Sequence, residues 1–133
     1  MATESTNKTS KIGIVDVQFL INNTPSVLAL RQEQQKNTAE LQEWVNKANA
    51  EIAKLAKKEE KDNLAQKYRL ELTQRQQMLQ LEYNQKVQGI DVELTKLIAD
   101  VAKKEHFDYV FAKGIVVYGA EDLTQKVADA LKK

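Results

Sequence analysis

Few side chains in this sequence could do covalent chemistry. Its 133 residues hold one histidine, His106, and no cysteine. His106 stands just before an apolar stretch, at the end of a helical pattern, where histidine commonly partners terminal carbonyls. With no second histidine and no thiolate, a metal site lacks ligands. General acid–base work needs oriented partners in a pocket, and nothing near His106 supplies them. No glycine-rich loop is present to cradle a phosphate. The sequence therefore reads as no enzyme, with no metal and no cofactor.

The side chains of interest are those suited to non-covalent binding. Leu70, Met78 and Leu81 fall off the main apolar seam of a long helical pattern, and Trp44 lies beside Val45 on another. Exposed, adaptable apolar groups of this kind can hold many different chains weakly, and methionine suits such surfaces. The competing reading is that they broaden the helices' own packing. Between the two patterns, Lys54, Lys57, Lys58, Lys61, Lys67 and Arg69 are interleaved with Glu59, Glu60 and Asp62. This is either a weakly basic tip that meets acidic chains or anionic lipid headgroups, or a solvated helix end kept soluble by charge.

These groups must be positioned by long helices. Leu41, Val45, Ala48, Ile52 and Leu55 form one heptad seam. Leu64, Tyr68, Leu72, Leu79, Val87, Ile90, Leu94, Leu97 and Val101 form a second. The polar run 57–63 separates them, and Asp62 or Asn63 can cap a second helix, with Asn63 and Gln66 as a capping box. The spacing predicts an antiparallel hairpin over 25–104 with its tip near 58–63; its rival is one uninterrupted helix in a parallel coiled coil. Thr24 reads as N-cap and Pro25 as first helical residue. Gly89, inside the second arm, is either a hinge or a point of close helix approach.

At the base, "KIGIVDV" (11–17) reads as a strand buried on both faces. "FDYVFAKGIVVYG" (107–119) reads as a small apolar β-hairpin turning at Lys113-Gly114. An amphipathic helix with Leu123, Val127, Ala130 and Leu131 follows. Residues 11–24 and 105–133 would form a β-rich head, and 1–10 a disordered lead-in. Three short strands with open edges are marginal alone and invite pairing with other chains. The head therefore predicts oligomerisation through Ile12, Ile14, Val110, Phe111, Ile115, Val116, Val117 and Tyr118, with Val116 or Val117 facing a shared core. The fold class is α+β, mainly α: a long antiparallel coiled-coil hairpin on a small β-rich head.

A net charge of +1 argues against a nucleic-acid binder that works by phosphate neutralisation. No apolar run approaches the roughly 20 residues that span a bilayer. The polar "MATESTNKTS" is not a secretory signal as it stands. It fits a mature N-terminus whose signal has been removed, or a cytoplasmic protein.

"KIGIVDVQFLINNTP" resembles the N-terminal signature of the Skp/OmpH family of periplasmic chaperones, a K-I-[AG]-[VI]-V-[DN] strand before a short helix and a charged coiled coil. The C-terminal block is similar to that family's second signature at Val101-Ala102, Phe107-Asp108-Tyr109-Val110, Tyr118 and Asp122-Leu123-Thr124. The resemblance covers nearly all the chain after residue 10. It implies a homotrimer whose β-rich head carries three helical hairpins around a cavity. Such a trimer holds unfolded outer-membrane β-barrel proteins without ATP, in the periplasm. The near-neutral charge departs from the strongly basic pattern frequent in the family. A different class of function also fits the coil: a trimeric coiled-coil scaffold or spacer with no chaperone activity.

Overall fold

A computed structural model describes residues 10–132. The expected disordered lead-in, residues 1–10, lies outside the described residues except for Ser10. The elements run β1 (Ile12–Val15), α1 (Val17–Asn23), α2 (Pro25–Lys54), α3 (Lys58–Lys104), β2 (Tyr109–Ala112), β3 (Glu121–Asp122) and α4 (Thr124–Leu131). The fold is α+β and mainly α, as the periodicity predicts. The described residues form two compact units, 10–28 with 89–132, and 29–88.

The first unit has a three-stranded sheet in the order β2-β1-β3, with both neighbours parallel to β1. Ile12 pairs with Tyr109 and Val15 with Ala112 on one side, and Ile14 pairs with Asp122 on the other. The expected apolar hairpin is absent. Lys113–Gly114 does turn, with Gly114 at φ 102°, but Ile115–Tyr118 forms no strand. A hairpin would lay that segment along the outer edge of β2. Instead the chain crosses to the far side of β1, a shift of about two strand spacings, or ~10 Å. Parallel pairing demands such a crossover. The crossing seats Leu123 and Val127, both fully buried, against Val15, Leu20, Leu94, Ala102 and Phe107. Burying two aliphatic side chains is worth about 3–6 kcal/mol, more than a two-stranded edge supplies.

β1 is buried on one face only. Gly13 and Val15 point into the core, while Ile12 and Ile14 stay half-buried. Gly13 is required by close packing: a Cβ there would come 2.9 Å from Leu123 Cδ1 and 3.0 Å from the Phe107 ring. Asp16 then starts α1, its carboxylate accepting the Phe19 N–H at 3.1 Å. Thr24 stands at the expected N-cap of α2, extended, with its carbonyl accepting the Leu28 N–H at 3.2 Å. Its hydroxyl donates backward to the Leu20 carbonyl at 2.6 Å rather than accepting from α2. The side chain is buried, and this bond satisfies a carbonyl in the last turn of α1.

The C-terminus of α3 explains His106. The Phe107 N–H donates to the Ala102 carbonyl at 2.8 Å and the His106 N–H to the Lys103 carbonyl at 3.2 Å. This is a Schellman motif, with Phe107 packing in the same core as Ala102. His106 holds the left-handed position at φ 62°. It caps through its backbone, not as an imidazole partner of the carbonyls. A β-carbon in that region costs on the order of 1 kcal/mol. His106→Gly is therefore expected to raise the thermal midpoint, by up to about 1 kcal/mol of stability, and His106→Val to lower it. An unchanged or lower midpoint in the glycine variant would contradict this account.

In the second unit the two helices run antiparallel. Tyr68 donates to the Glu51 carboxylate, and Lys86 pairs with Glu33, so partners recede along α2 as they advance along α3. The break lies at 55–57, upstream of the expected tip at 58–63. Asp62 and Asn63 sit inside α3 and cap nothing. Glu59 and Glu60 occupy the first turn instead, where carboxylates complement the exposed N–H groups. The Lys57 carbonyl closes that turn by accepting the Lys61 N–H at 3.0 Å.

Candidate functional site

Within residues 29–88, the seam residues Leu41, Val45, Ile52, Leu55, Leu64, Tyr68, Leu72 and Leu79 are half-buried and Ala48 is buried, whereas Val87, expected on the same seam, is exposed. The four residues proposed for binding separate into two groups. Trp44 is taken up by the arm itself. Its ring meets Tyr68 edge-on at 5.7 Å between centroids, and the Arg75 guanidinium lies over it at 4.8 Å. Arg75 also pairs with Glu71 at 3.1 Å. The hydrogen bond to Glu51 raises the Tyr68 hydroxyl above its ordinary pKa. Leu70, Met78 and Leu81 are different: they remain 63%, 56% and 51% exposed. Met78 also lines a groove of about 440 Å³ with Leu41, Leu79 and Arg75.

The basic residues sit around the break. Lys54 ends α2, Lys57 lies in the turn, and Lys58, Lys61, Lys67 and Arg69 follow on α3. None of the six forms an ion pair among the described residues, and Lys61 alone is half-buried.

Within the first unit, the end segments lace β1 into place. At its start the Lys11 N–H donates to the Asp108 carboxylate at 2.8 Å, and the Asp108 N–H returns to the Lys11 carbonyl at 2.8 Å. The Lys11 ammonium lies 4.2 Å over the Phe107 ring. At its end the Asp16 N–H donates to the Thr124 hydroxyl at 2.8 Å, and that hydroxyl donates to Asp122 at 2.5 Å. The Thr124 hydroxyl, then its backbone N–H, hold the Asp122 carboxyl below its ordinary value of 3.8. A lowered carboxyl stabilises the fold above its unfolded pKa. That contribution is lost as pH falls below 3.8 through the lowered folded value. Asp122→Asn should therefore unfold at less urea than wild type at about pH 7, and the gap should narrow toward about pH 3. A gap that is constant with pH would remove the ionised carboxylate from the account.

Around this lacing the expected head residues scatter. Val110 packs half-buried on the core, and Val116 is half-buried. Phe111 and Ile115 are exposed, and Val117 and Tyr118 stand 98% and 95% exposed. Tyr109, not singled out from sequence, is also exposed and stacks on Phe111 at 6.3 Å. The i, i+2 spacing that puts both on one strand face was the available signal.

The sequence profile of the outer membrane protein (OmpH-like) family matches residues 11–131. The chain belongs to the OmpH-like family. Members of this family are chaperones rather than enzymes. Among curated proteins none matches the chain significantly. In this OmpH-like chain, the signature residues Asp16, Ala102, Phe107, Asp108, Asp122, Leu123 and Thr124 are the ones that cap, lace and fill the first unit. They build the scaffold of that unit. Gly89 is exposed within α3, and an added Cβ would meet nothing within 4 Å. No described helix is long and apolar enough to cross a membrane.

Proposed function

We propose that this protein is an ATP-independent holdase of the periplasm that binds unfolded outer-membrane proteins as a homotrimer. One observation carries the reading: Leu70, Met78 and Leu81 remain exposed on a helix whose packing seam lies elsewhere. A spacer gains nothing from apolar surface left in water, whereas a holdase needs it. Family membership supports the same conclusion. The test is aggregation of an unfolded outer-membrane β-barrel, followed with and without this protein and with no nucleotide. Suppression at near-stoichiometric amounts is expected. No suppression, together with binding to one folded partner, would favour a scaffold.

In this reading the exposed Ile115, Val117 and Tyr118 meet other copies and build the shared head. Val117→Asp should leave the isolated chain's fold intact, because the side chain already stands in solvent. It should abolish the trimer, because a charge without a partner would be buried there. Light scattering of a still-trimeric Val117→Asp protein would exclude this segment from the interface. The tip lysines add weak contact with anionic lipid, checked by flotation with anionic vesicles at low salt.

A further inference from the structure

We draw no further inference here: the strongest candidate, the outer edge of β2 with its stacked Tyr109 and Phe111 beside the exposed crossover segment 115–118, belongs to the shared head already proposed, and nothing in the structure shows what else covers it.

Discussion

Val127→Asp is expected to unfold residues 10–28 and 89–132. Val127 is fully buried, in one cluster with Val15, Leu20, Leu94, Phe107 and Leu123. The members of that cluster are all apolar, so the carboxylate would have to be buried among them or drawn out with α4. Either route costs several kcal/mol, against a total of about 5–15 kcal/mol for a typical domain. Val127→Ala, which removes two methyl groups and adds no charge, should cost about 2 kcal/mol and leave the fold intact. Dispersion of the methyl and amide NMR signals checks both, with circular dichroism reporting the helical loss. The loss should extend to α1, which packs on α4, and to β1, which depends on the Thr124 hydroxyl at its end. A Val127→Asp protein with wild-type dispersion would mean that this core is not what holds the unit together.

The second large effect concerns client holding. The triple change Leu70→Ser, Met78→Ser, Leu81→Ser is expected to remove most of the protection against aggregation. Full burial of one such side chain offers about 1.5–3 kcal/mol, and partial burial in a mobile complex well under half of that. A single substitution should therefore do little, and three acting in each arm of a trimer should do much. The helical content should be spared, because the hairpin's seam is Leu41, Val45, Ala48, Ile52, Leu64, Tyr68, Leu72 and Leu79, all untouched. Salt provides an independent comparison. At about 0.5 M the Debye length is near 4 Å, so capture by Lys54, Lys57, Lys58, Lys61, Lys67 and Arg69 should fade while apolar holding persists. If the triple variant folds and protects as well as wild type, and high salt abolishes protection in both, the stripe is inert and the tip is the site.

Local periodicity alone determined two long helical seams, because heptad spacing at Leu41–Leu55 and Leu64–Leu79 is a short-range pattern. That the second helix folds back antiparallel, rather than continuing the first in a parallel coiled coil, was decided by the break at 55–57 and the pairing of Tyr68 with Glu51 and Lys86 with Glu33. The off-seam position of Leu70, Met78 and Leu81 was legible for the same reason: a residue off the seam of a two-helix arm has nowhere to hide. Trp44 was not legible in this way. Its partners Tyr68 and Arg75 come from the other helix, and only the pairing of the two helices brings them to the ring.

The base of the molecule was decided by tertiary packing. "IVVYG" has every local mark of a strand, with β-branched and aromatic residues after a glycine turn. Yet strand propensity is weak beside the burial of Leu123 and Val127, and reaching that burial uses 113–120 as a crossover. The parallel order β2-β1-β3 is likewise a long-range fact, since no residue near Lys11 announces that Asp108 and Asp122 will flank its strand. His106 looked like a side chain waiting for a partner and proved to be a backbone position in a Schellman turn, visible only through its φ and the Ala102–Phe107 hydrogen bond. The sequence by itself determined which faces of the helices are apolar. The tertiary structure decided which apolar side chains are consumed inside the chain and which stay exposed, because burial depends on neighbours that lie up to about a hundred residues away along the chain.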